Sequence, residues 1–126
     1  MRLRLRLQDI FVGLLLCGAA SLPVRAAEKP DFQRDVLPIF ETKCLRCHGE
    51  KKKDAKLDMR TVDALLAGGV TGPAIKAGSA QKSLLIELLH YNEMPPKKEK
   101  SRVTKDELAL LRRWIDAMPA PPAATR

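Results

Sequence analysis

Cys44, Cys47 and His48 stand in the order Cys-x-x-Cys-His. On a helical turn, residues three apart share a face. Two thiols on that face can add to the two vinyl groups along one edge of a porphyrin. The residue after the second cysteine then lies under the iron, where its imidazole can bind as the proximal ligand. The motif therefore reads as an attachment site for one haem c, held through Cys44 and Cys47.

Three other chemistries use these residue types. A thioredoxin-like pair needs a βαβ setting, and no alternating strand pattern occurs here. Zinc could draw on Cys44, Cys47, His48 and His90, but the adjacent Cys47 and His48 cannot easily both reach one tetrahedral ion. The third is a plain disulfide. The export signal described below, the helical periodicity and an aromatic content of 4% favour haem over all three.

Met59, His90, Met94 and Met118 are the candidates for a sixth ligand. Met118 falls on an apolar stripe and reads as core. Met59 follows His48 closely, which makes crossing to the far face awkward. His90 ends a leucine-rich helix and could lie at the surface or beside a propionate. Met94 precedes Pro95-Pro96. Proline pushes the residue before it into extended geometry and stiffens the loop. Such a loop can hold a thioether over iron, which raises the potential. Met94 is the ligand this reading selects, with His48 opposite.

Helices must position these groups. Phe32, Val36, Ile39, Phe40 and Cys44 follow one helical face, and Pro38 within them implies a kink or restart. Thr61 can cap a short helix ended by Gly68-Gly69. Ser79 or Ser83 starts a helix carrying Leu84 to Leu89. Thr104 and Glu107 form a capping box before Leu108, Leu111, Ile115 and Met118. Gly68 to Gly78 is an irregular segment whose glycines permit close backbone approach to something bulky. A porphyrin would supply that bulk and add the apolar slab that a small all-α domain lacks.

The 126 residues allow one domain. Residues 1–26 resemble an export signal, with Arg2, Arg4 and Arg6 before an apolar stretch and a small-residue cleavage site at Val24-Arg25-Ala26. The alternative is an uncleaved anchor. Residues 27–30 read as a leader, 31–118 as the domain and 119–126 as a disordered tail. No apolar run is long enough for a transmembrane helix in the mature chain. The expected location is periplasmic or otherwise exported. Lys51-Lys52-Lys53 and Lys97, Lys98 and Lys100 follow the two ligand motifs, and the net charge is +8. They could form a positive rim that meets an acidic redox partner protein. Nucleic acid is not expected, because the basic loops lack interleaved aromatics.

At this level of detail the sequence resembles the planctomycete-type cytochrome c domain. The matching residues are Pro38-Ile39-Phe40, Cys44-x-x-Cys47-His48-Gly49, Leu57-Asp58-x-Arg60, Gly68-Gly69, Gly72-Pro73-Ala74-Ile75, Ser83-Leu84-Leu85, Met94-Pro95-Pro96 and Leu111-x-x-Trp114-Ile115. The resemblance implies a class I-like, all-α domain around one haem, with His48 and Met94 as axial ligands. It also implies that Arg60 and the 68–78 segment, including Gly72 and Pro73, line the pocket. Such domains are often fused to larger ones; this chain ends after its last helix, so the partner is expected to be a separate molecule.

Electron transfer between Fe(II) and Fe(III) is the expected role. No acid/base pair or nucleophile stands beside the motif, so the chain is expected not to be an enzyme, although it could serve as a subunit of one. A haem-based ligand-binding or sensor module is the alternative and needs an open iron site. An interaction module with a structural haem is a third class.

Overall fold

The computed structural model describes residues 28–122. Residues 1–27, which include the segment read as an export signal, and the last four residues lie outside that span. Within it there are four α-helices and no strand; the only bridges are isolated, His48 with Lys53 and Gly69 with Gly72. The all-α expectation holds.

The first element is a π-helical turn, Phe32–Val36, capped by the Asp31 carboxylate accepting from the Arg34 amide at 2.8 Å. It runs directly into α1, Leu37–Lys43, with Pro38 in its first turn. Proline has no amide hydrogen to offer, so it is tolerated where a helix starts and the ladder has not yet formed. The break expected at Pro38 is therefore a restart. The wide i→i+5 turn before it was not legible from the periodicity.

Helix α2, Val62–Ala67, is capped by Thr61 and ends at Gly68. Ser79 and Ser83 both start helices: Ser79 a 3-10 turn, Ala80–Lys82, and Ser83 the helix α3, Leu84–His90. The Ser83 hydroxyl is buried, donates to the Ser79 carbonyl and accepts from the Lys76 amide, both at 2.8 Å. It thus stitches the two turns instead of capping α3. Helix α4, Lys105–Asp116, carries the complete Thr104/Glu107 capping box.

The core lies where α4 meets the first turn, the Ala80–Lys82 turn and α3, with α1 packed on the first turn. Leu111 and Ile115 are wholly buried and Trp114 nearly so. Phe32 stacks on Trp114 with ring centroids 5.5 Å apart and meets Phe40 edge-on at 6.3 Å. Leu108 and Met118, at the two ends of the stripe, are only half-buried against this core. Residues 119–122 leave α4 as exposed coil. None of the helices described is long and apolar enough to cross a membrane.

Candidate functional site

Helix α1 delivers the motif. Its last carbonyl bonds, from the Cys44 and Leu45 amides to the Phe40 oxygen at 2.8 and 2.9 Å, lead into a tight turn. There the Cys44 carbonyl accepts from the Cys47 amide at 3.1 Å and the His48 amide at 2.9 Å. These i→i+3 and i→i+4 bonds are the helical geometry that brings the two thiols onto one side. Both cysteines are half-buried with free thiols. Burial pushes the Cys44 thiol up to about 12, so it stays protonated.

Gly49 follows the histidine and is buried. A Cβ there would stand 2.3 Å from the Leu45 carbonyl oxygen. Only glycine lets the chain turn back under the motif at this point.

His48 is oriented by the backbone. Its Nδ1 lies 3.0 Å from the Asp54 carbonyl oxygen. A carbonyl only accepts, so Nδ1 carries the hydrogen and Nε2 presents its lone pair. That is the tautomer an iron-binding imidazole requires, and such an outer hydrogen bond fixes the ring plane. The 50–59 loop that supplies the carbonyl is tied to the motif twice more. The Asp54 amide donates to the Cys47 oxygen at 2.9 Å, and the Met59 amide to the His48 oxygen at 2.8 Å.

Cys44, Cys47 and His48 line a cavity of about 370 Å³. Met94 lines the same cavity, with Leu57, Met59, Leu85, Leu89 and Pro95 among its apolar walls. Gly69, Val70, Thr71 and Gly72 form another edge. The glycine-rich segment thus edges the cavity, where its backbone could approach a bound group closely. Part of its glycine content has a second cause, however. A Cβ on Gly69 would meet the Ala55 carbonyl oxygen at 2.4 Å, and the Val70 amide donates to that same oxygen at 2.8 Å. The segment is thus pressed on the proximal loop as well as on the cavity.

Arg60 and Pro73 are corrections to the sequence reading. Neither is among the cavity's lining residues. Arg60 is drawn off by Asp58, whose carboxylate accepts from its amide at 3.0 Å and from its guanidinium at 2.9 Å. A carboxylate two residues away is a nearer partner than any group in the pocket. Pro73 faces away, into a shallow recess beside Leu66 and Ile75. Gly72 is among the residues that line the cavity.

Of the other candidate ligands, Met59 is 2% exposed and serves as a cavity wall. His90 is exposed, packs edge-on to Tyr91 and lies outside the cavity. The four residues that could have bound zinc are therefore not gathered. No cluster of three or more His, Cys, Asp or Glu residues occurs among those described.

Two thiols and an imidazole on one wall, a thioether on the same cavity and an apolar lining make a donor set that fits haem c. The histidine tautomer fits it too. Together with the helical fold, these features are those expected of a small c-type cytochrome domain. The family model of planctomycete cytochrome C matches residues 44–98, a little under half of the chain. The matched span begins at the first cysteine of the motif and ends just past Met94-Pro95-Pro96. No curated protein and no solved structure matches the chain.

Arg102 was missed in the sequence. It stands in a basic loop, where nothing local distinguishes it from its lysine neighbours. In the structure it is half-buried and bonded to three carbonyls of the loop that carries Met94.

Proposed function

We propose that the protein is an exported electron carrier with a single haem whose iron is held between His48 and Met94. The observation that carries this reading is the convergence of Cys44, Cys47, His48 and Met94 on one apolar cavity. When bound, the haem supplies reversible exchange of one electron between Fe(II) and Fe(III).

The chain's own residues do the rest. Cys44 and Cys47 provide the covalent links. His48, held through Nδ1 by the Asp54 carbonyl, offers Nε2 in a fixed plane. Met94 offers a soft, neutral sulfur, which favours the reduced metal and raises the potential. Leucines and Pro95 keep water from the centre, which limits reorganisation when charge changes.

Part of the basic surface supports an acidic redox partner. Lys52 pairs with Asp54 at 2.9 Å and Lys53 with Asp58 at 3.1 Å, which offsets two of the three charges of the first lysine run. Lys97, Lys98 and Lys100 are exposed on the loop after Met94-Pro95-Pro96. They are the stronger part of the rim, and they lie beside the cavity edge formed by Pro95 and Pro96.

Met94→Ala tests the ligand set. The holoprotein should lose its sulfur-to-ferric-iron charge-transfer band in the red, and its ferrous form should begin to bind carbon monoxide. An unchanged band, or carbon monoxide uptake by the unaltered ferrous protein, would point instead to an open-site sensor or ligand-binding module.

A further inference from the structure

We propose that Arg102 is a positioning residue that holds the Met94 loop closed over the cavity, and that it is braced in that role from the motif side. The inference rests on the assignment of Met94 as a ligand. Three observations carry it.

The first is the shape of the Arg102 contacts. One terminal nitrogen donates to the Pro95 carbonyl and, at 3.2 Å, to the Pro96 carbonyl. The other donates to the Asn92 carbonyl at 3.0 Å and to Asn92 Oδ1 at 3.1 Å. The guanidinium thus grips the backbone on both sides of Met94. Its planar fork, with donors fixed in direction, suits this use; a lysine ammonium could not span the same set.

The second is what the loop lacks without it. Within residues 92–96 the Met94 amide reaches the Leu88 oxygen at 3.2 Å, and the two prolines have no amide hydrogen to give. The loop has no ladder of its own beyond Met94. The Pro96 carbonyl also accepts from the Glu99 amide at 2.8 Å, whereas the Asn92 and Pro95 carbonyls take their donor from Arg102.

The third is the bracing. The Lys43 ammonium donates to the Arg102 carbonyl at 2.8 Å and pairs with Glu107 of the α4 capping box. Lys43 is the residue immediately before Cys44. Arg46, inside the Cys-x-x-Cys turn, pairs with Glu99 on the far side of the same loop. The clamp on Met94 is therefore fastened to the segment that carries the proximal ligand. Arg46 is largely exposed, so its pair is the weaker brace.

A loosened clamp should leave the iron chemistry in place but raise the population with Met94 off the metal. An external ligand must wait for that population, so its apparent affinity rises in proportion. Charge-assisted hydrogen bonds of this number, partly exposed, correspond to about a tenfold change in the open fraction.

The test uses the ferric holoprotein and imidazole as the probe. Arg102→Gln should bind imidazole about tenfold more tightly than the unaltered protein and show a weaker thioether band, with covalent haem content unchanged. Arg102→Lys keeps the charge and should fail to restore either signal. Arg113→Gln, an equal charge change at an exposed site on α4, should leave both unaltered. If Arg102→Gln does not mature, Arg102→Lys carries the same two readouts. An imidazole affinity and band intensity in either Arg102 variant equal to those of the unaltered protein would overturn the proposal. A thioether band that is missing from the unaltered protein, or that survives in Met94→Ala, would overturn the ligand assignment itself. The two failures are thereby distinguished.

Discussion

Gly49→Ala should destabilise the protein, although the usual effect of such a change is the opposite. Gly49 does not occupy the left-handed region. At an ordinary φ, alanine restricts the unfolded chain and commonly stabilises by about 0.4–1 kcal/mol. Here the added Cβ would lie 2.3 Å from the Leu45 carbonyl oxygen, 3.2 Å from its carbon and 3.3 Å from its Cβ, against a practical floor of 3.0 Å. Two of the three atoms are backbone, so no rotamer change relieves the overlap. The turn that holds Cys47 and His48 must shift instead. Overpacking of this kind costs about 1–3 kcal/mol, equivalent to a fall of about 5–20 °C in the melting temperature of a domain this size. The measurement is thermal unfolding of the holoprotein, with haem bound per polypeptide determined alongside. Gly49→Ser should fall by the same amount, because the cost rides on Cβ alone. A melting temperature that rises or stays level in Gly49→Ala would refute the reasoning, since that is the outcome expected without a collision.

Leu111→Ala empties a fully buried site against Trp114 and Ile115 and should cost about 2–5 kcal/mol in urea titration. Asp58→Asn should cost about 1–2 kcal/mol near neutral pH, because Arg60 and Lys53 donate to that carboxylate. The Asp58 carboxyl is held well below the usual range, first by the Arg60 side chain and then by the Arg60 amide and Lys53. A depressed folded pKa gives stability that is full above the ordinary carboxyl range and drains away as pH falls; the gap between Asp58→Asn and the unaltered protein should therefore narrow from about pH 4 downward. Electron transfer to an acidic partner should slow as salt is raised through about 0.1 M, and less so once Lys97, Lys98 and Lys100 are replaced by glutamine; a rate indifferent to salt would remove the case for the rim.

The parts of this fold that could be read from the sequence are those decided by local chemistry. Thr61, the Thr104/Glu107 box and Pro38 each act on groups within four residues of themselves, so their types announce what they do. The apolar stripe of α4 announces its buried face, and its ends are half-buried only because the core stops there. The i→i+5 turn at Phe32–Val36 left no such mark, since its apolar spacing also suits an ordinary helix. Arg60 was misplaced for the opposite reason. Its sequence offered a nearby carboxylate, Asp58, that competes with the pocket, and the local partner wins.

The same distinction separates the two sides of the candidate site. On the motif side, the bonds that turn the chain through Cys44, Cys47 and His48 lie within a stretch from Phe40 to Met59 and are backbone bonds, apart from the one His48 Nδ1 makes to the Asp54 carbonyl. Such a structure is written into a short span, which is why five residues suffice to identify it. On the other side, Met94 sits in a loop whose two prolines stiffen it but have no amide hydrogen to give. Its position depends on a side chain beyond the loop and on a lysine far back along the chain, at the end of α1. Neither residue type is unusual for a basic protein, so neither could be singled out in advance. Stiffness of the Met94 segment is thus local and legible, whereas its placement over the cavity is a tertiary property and had to be found in the structure.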